Sequence, residues 1–201
     1  MADFACLEIA SRRLVMNVLA LTYWSYKEPL IQAATLPHLR LIHKHLPKGS
    51  EISLVTFEKA NLQLSASEIQ EIEEELAKEG IRWIPLKYWQ FGPIASMSWM
   101  FKIFRLVRFC RRNDVRAIHA FASTAGLAAH MIHWVTEIPY VVDSFEPHAE
   151  SMVENGSWRT DSMAFKLLFR FEKKQARSAQ AVLATSEGMA QYSMNKYGTC
   201  P

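Results

Sequence analysis

Neither glycine signature that closes a loop on a nucleotide phosphate, G-x-G-x-x-G or G-x-x-x-x-G-K-[ST], occurs in this chain. Only glycine lets backbone approach a pyrophosphate that closely, which argues against tight dinucleotide binding at the loop after the first strand and against P-loop chemistry. The three cysteines, Cys6, Cys110 and Cys200, lie far apart with no C-x-x-C and no ligand-like spacing to histidine. That argues against a disulfide framework and a zinc signature, and it suits a reducing compartment. A G-x-S-x-G elbow and a Ser–His–Asp order are absent too. With 7 glycines, 8 prolines and no internal repeat in 201 residues, the chain is neither fibrous nor disordered. The net charge is only +3, and no nucleic-acid-binding module is recognisable, so no nucleic-acid partner is expected.

Long apolar runs are also missing. Leu14–Trp24, preceded by Ser11-Arg12-Arg13, is too short to span a bilayer and has no small-residue cleavage site after it. It reads as a buried first strand, with Met16 a second candidate start and residues 1–15 an extension outside the fold. Ala117–Val135 carries no formal charge, but it contains His119, His130 and His133 and changes character midway. A strand followed by a helix is expected there.

What is present is a core. Half the residues are apolar, enough for one packed domain over 16–201. Strands are expected at Val15–Thr22, Ile52–Phe57, Ile81–Leu86, Val115–Phe121, Ile138–Asp143 and Ala181–Thr185. Pro85 marks the third as an edge. Helices are expected over Pro29–Leu46, from the capping box at Ser65 through Lys78, and over Ala95–Arg112, Thr124–Val135, Ser162–Ser178 and Glu187–Lys196. Alternation of helices with continuously apolar strands implies an α/β, Rossmann-like, doubly wound parallel sheet. Ligands of such sheets bind at the carboxyl ends of the strands.

The loop after the first strand holds Tyr23, Trp24, Tyr26, Lys27 and Glu28. Aromatic faces stack on pyranose rings, so it suits a sugar or polar acceptor; an aromatic cap on the core is an equal alternative. After the fourth strand, Ser123 and Thr124 form a natural helix cap whose exposed N–H groups could face an anion. His119 lies inside that strand and reads as a buried, hydrogen-bonded histidine. The densest polar cluster follows the fifth strand and holds Asp143, Glu146, His148 and Glu150. Carboxylates beside a histidine can bind hydroxyls or do acid–base work. No metal is expected there, because no second ligand group of known spacing accompanies them.

Charge is uneven. Residues 1–100 hold ten Lys or Arg against eleven Asp or Glu; residues 101–201 hold thirteen against nine. Lys102, Arg105, Arg108 and Arg112 form a basic stripe on the Ala95–Arg112 helix, opposite Trp99, Ile103, Leu106, Val107 and Cys110. The pattern fits a sheet-covering helix first and an anionic membrane surface second.

Three stretches in order resemble the amino-terminal domain of family 4 glycosyltransferases. Asp114-Val115-Arg116-Ala117-Ile118-His119-Ala120 is similar to that family's D-V-I-H-A strand. Glu137-Ile138-Pro139-Tyr140-Val141-Val142-Asp143 is similar to its I-P-x-V strand, and Phe171-Glu172 through Ser186-Glu187-Gly188-Met189 to Tyr197-Gly198 is similar to its tail. The resemblance implies a GT-B architecture of two Rossmann-like domains, this chain being the acceptor-side half. The donor-binding half with its E-x7-E motif would lie beyond Pro201, so the chain is expected to be a fragment, inactive alone.

It further implies transfer of a sugar from a nucleotide-sugar donor to a glycan or lipid-linked acceptor, retaining and metal-independent. The setting expected is the cytoplasm, at the inner membrane face. The family's histidine after the fifth strand would fall near Phe145, and His148 is the candidate for that catalytic role. Ser186 and Glu187 would approach the cleft with Ser123 and Thr124. Two alternatives stand beside this reading: a stand-alone Rossmann-like binding module and a GT-B nucleotide-sugar 2-epimerase.

Overall fold

The computed structural model describes residues 15–88, 93–145 and 147–198. The extension expected over 1–15 therefore lies almost wholly outside the described residues, as does Glu146. Six strands, β1 (Asn17–Leu21), β2 (Ile52–Glu58), β3 (Ile81–Lys87), β4 (Val115–Phe121), β5 (Tyr140–Phe145) and β6 (Ala181–Ala184), form one sheet. Their order is β3-β2-β1-β4-β5-β6, and every pairing is parallel. The strand with Pro85 is an edge, as the missing N–H requires.

Seven α-helices lie among the described residues: α1 (Leu36–His45), α2 (Ala66–Lys78), α3 (Pro93–Arg112), α4 (Ala122–Thr136), α5 (His148–Glu154), α6 (Met163–Ser178) and α7 (Glu187–Tyr197). Because successive strand side chains point to opposite faces, each strand feeds two cores. On one face Val18, Ala20, Ile52 and Leu54 pack with Leu36 and Leu39 of α1 and Leu76 of α2. On the other, Leu19, Leu21, Val55 and Phe57 pack with Leu106 of α3, Ile132 of α4, Ala176 of α6 and Tyr197 of α7. The sheet is thus wound in both directions from β1 and β4, and the connections leaving those two strands go to opposite faces. The crevice of such a sheet opens between them at their carboxyl ends.

Local chemistry explains the element ends. Ser65 Oγ accepts from Glu68 N–H at 3.3 Å while Glu68 accepts from Ser65 N–H at 2.8 Å, the reciprocal box its sequence announces. The helix expected from Pro29 opens instead with a wide π turn, Ile31–Thr35, where Leu36 N–H donates to Ile31 O. Pro37 explains it: proline offers no N–H to the carbonyl four residues back, and a wider turn absorbs the gap.

Ser123 and Thr124 do not cap α4. That helix starts at Ala122, directly before them, with no side-chain cap, and Ala122 sits in the left-handed region at φ 67°. The strand turns straight into the helix. Finally, the polar segment 144–160 contains α5, which its sequence does not announce; α5 starts where Ala149 N–H donates to the buried carboxylate of Glu172 at 3.0 Å.

Candidate functional site

Three side chains that are remote in sequence meet at the crevice. His119 on β4 and Asp143 on β5 stand on the same face of adjacent parallel strands, because Phe121 pairs with Asp143 and His119 lies two residues before Phe121. His38, in the first turn of α1 just after the π turn, reaches across from the helix. One oxygen of Asp143, Oδ2, lies 3.0 Å from His38 Nδ1 and 3.2 Å from His119 Nε2.

An ionised carboxylate only accepts, so both facing ring nitrogens carry protons and both imidazoles are held in orientation. His119 also packs at 4.6 Å on Phe121, and His38 meets His119 edge-on at 5.2 Å. His119 and Asp143 are nearly enclosed, with side-chain exposures of 10% and 13%, while His38 at 38% forms the open wall. The arrangement can hold a hydroxyl beside a fixed imidazole, move a proton, or bind a divalent transition cation.

The loop after β1 is tied down by polar contacts. Buried Ser25 donates through Oγ to Phe57 O at 3.0 Å and accepts from Lys59 N–H at 2.8 Å. Glu28 accepts from Ser25 N–H at 3.1 Å and pairs with Lys59 Nζ at 2.8 Å. Tyr23 leans on Phe57 at 4.9 Å, and Tyr26 leans on Trp83 at 5.0 Å. Burial raises the phenol pKa of both tyrosines. Trp24 is partly buried against the α1-side core. Lys27 turns outward to Glu68 at 2.6 Å. The aromatic rings of this loop are therefore engaged in packing, and its polar groups in one another.

The structure brings Asp143 together with His119 and His38, not with His148. His148 is exposed at the start of α5. Glu150 pairs with Lys196 at 2.8 Å and, with Pro147, Glu154 and Tyr192, lines a cavity of ≈ 280 Å³ between α5 and α7. Ser123 is buried and Thr124 half-buried in the first turn of α4. Ser186 caps α7, its Oγ accepting from Met189 N–H at 3.3 Å, and Glu187 is exposed beside it. Sequence reasoning missed His38, which sits in the ordinary helical run Leu36-Pro37-His38-Leu39. The one available signal was positional: a histidine one turn into the helix after the first strand, at the sheet's switch point.

On α3, Ile103, Leu106, Val107 and Cys110 are buried on the sheet. Its outer side exposes Met97, Met100, Phe101 and Phe104, the last two at 66% and 63%. Arg105, Arg108, Arg111 and Arg112 are exposed among them. Lys102 leaves the expected stripe: its Nζ lies 5.7 Å from the Phe57 ring, and desolvation lowers its pKa. Among the described residues no helix is long and apolar enough to cross a membrane.

A family model described as Glycosyl transferase 4-like domain matches residues 39–199. No curated protein sequence matches the chain. Among solved structures, HepE of Anabaena in complex with UDP is similar at TM-score 0.54 and 14% identity, over 92% of this chain and 42% of its own. A putative UDP-N-acetylglucosamine 2-epimerase of Listeria monocytogenes is similar at TM-score 0.58 and 9% identity, over 93% and 43%. A glycosyltransferase of Rickettsia africae is similar at TM-score 0.53 and 11% identity, over 92% and 41%. The chain thus spans less than half the length of each of these structures, and at these identities the likeness is one of fold.

Proposed function

The chain belongs to the glycosyl transferase 4-like domain family, and from that premise we propose that it is the acceptor-side half of an enzyme moving a sugar from a nucleotide sugar to a glycan or lipid-linked hydroxyl. The observation that carries this reading is the match over 39–199, which runs through all three crevice elements except the His38 end of α1. The UDP in HepE and the nucleotide-sugar substrate named for the Listeria protein support the donor class.

In this reading the acceptor hydroxyl enters beside His38, with Asp143 orienting the ring. The packed loop with Tyr23, Trp24, Tyr26, Lys27 and Glu28 walls the acceptor side, and Glu150 reaches it from α5. Ser123, Thr124, Ser186 and Glu187 stand nearer the donor phosphates. His148 is the alternative base, placed at the start of α5. Retention at the anomeric carbon and independence of any metal cofactor complete the proposal, with the donor-binding half supplied by chain beyond these 201 residues. Exposed aromatics and arginines on α3 support contact with an anionic leaflet, which would bring a lipid-linked acceptor to the crevice.

The test is product analysis on the full-length gene product with labelled UDP-sugars and an acceptor fraction. Label appearing in a glycan or lipid, and lost in His38→Ala, supports transfer. A free epimerised sugar nucleotide supports the 2-epimerase reading instead, and neither product refutes both.

A further inference from the structure

The contacts at Asp143 have a second chemical meaning. His38, His119 and Asp143 each offer a ligand atom within 4.8 Å of the others, and Asp143 Oδ2 stands 3.0 Å from His38 Nδ1 and 3.2 Å from His119 Nε2. Ligand atoms about 2.1 Å from a tetrahedral zinc ion stand about 3.4 Å apart. The two short edges thus need to open by only a few tenths of an ångström, and the third edge to close. The donor set is two imidazoles and one carboxylate. Hard cations such as Mg²⁺ and Ca²⁺ favour all-oxygen shells, whereas this set suits zinc and its first-row neighbours.

We propose that His38, His119 and Asp143 form a binding site for a divalent transition cation of the zinc type. Three protein ligands leave one position open, the pattern of zinc sites that exchange a ligand rather than of closed structural sites. The open wall at His38 gives that position access to water, or to a hydroxyl or carboxylate of a molecule in the crevice. Two of the ligands stand on adjacent strands and His119 is wedged on Phe121, so most of the site is preformed. On binding, each neutral imidazole moves its facing proton to its other nitrogen, and the cation takes the place of the two protons now shared with Asp143. The site stands on this geometry alone, and its ion is not a cofactor of the proposed sugar transfer, because an ion held by His38 and Asp143 would occupy the place given there to the acceptor hydroxyl.

The test is titration of the purified 201-residue chain with Co²⁺, read by visible d–d absorption, followed by displacement with Zn²⁺. The expected result is a saturable one-to-one band of low-symmetry, four-coordinate type that Zn²⁺ abolishes. His38→Ala and Asp143→Asn should each weaken binding by more than the ~10–100-fold that loss of an outer-shell partner costs. The exposed surface histidine variant His45→Ala should leave it unchanged. His38 is partly exposed and Asp143→Asn preserves volume, so circular dichroism should show both variants folded. Absence of a saturable band in the unmutated chain, or a band that survives both variants, overturns the proposal.

Discussion

Replacing Glu172 by glutamine should make the protein more stable at alkaline pH and less steep in its pH response. Glu172 on α6 is 1% exposed. One carboxylate oxygen accepts from Ala149 N–H, while the other is buried with no hydrogen-bond partner. Burial is the largest influence on this group; the N–H groups of Ala149 and His148 pull the other way, and the nearby Glu150 carboxylate adds to burial. The result is a pKa raised from 4.5 to about 7.

A raised acid pKa means that the folded state holds the proton more tightly than the unfolded chain does. The stabilisation is therefore full below about pH 4.5, is lost as pH rises through about 7, and stays lost above it. A shift of about 2.5 units corresponds to roughly 3 kcal/mol. For a domain of this size that is a Tm change of roughly 6–12 °C. Glutamine keeps an acceptor for Ala149 N–H and cannot ionise. Thermal melts followed by circular dichroism at pH 5 and pH 8 should thus show a large drop for the unmutated chain and a small one for Glu172→Gln. Equal pH dependence in the two proteins, or a variant less stable at pH 8, would refute the reasoning.

Other outcomes follow from single sites. Burial pushes the Cys110 thiol up to about 12, so in a Cys6→Ser, Cys200→Ser background the remaining thiol should react with Ellman's reagent only after unfolding. Ser65→Ala removes the α2 cap and should cost about 1 kcal/mol, measured by urea denaturation. Glu137 ends α4 in the left-handed region at φ 60°; Glu137→Gly should therefore stabilise by about 0.5–1 kcal/mol in the same assay. On vesicles containing phosphatidylserine, changing Arg105 and Arg108 to serine should remove about 2 kcal/mol of surface attraction, roughly 30-fold in the partition constant obtained from sedimentation over a lipid titration. Equal sedimentation of the two forms would exclude α3 as the contact.

The fold was legible because parallel strands buried on both faces write themselves as apolar runs, as Ile52–Phe57 does, and because Ser65 and Glu68 mark a helix start by local chemistry. Failures fell where tertiary contact outweighs local pattern. α5 begins under a carboxylate from α6, twenty-odd residues on, which no window around His148 can reveal. Ser123 and Thr124 look like a cap, but β4 passes into α4 through Ala122 before reaching them. The crevice was half legible: Asp143 and His119 stood out as strand-end and in-strand polar residues. Their partner His38 comes from another element, and a spacing search for metal ligands cannot join residues that only the sheet brings together.

The strand order also shapes how the chain is made. β1 pairs on one side with β2 and on the other with β4, about a hundred residues later in the chain. As the polypeptide emerges, β1–β3 can associate as a three-stranded unit. The inner edge of that unit, along Val18 to Leu21, stays open until β4 arrives. For that interval the nascent chain presents an unpaired apolar strand, the kind of edge that recruits chaperones or neighbouring chains. Closure of the β1–β4 seam is then the long-range, slow event of folding, and it is the same event that brings β4, carrying His119, to the β1 side of the sheet.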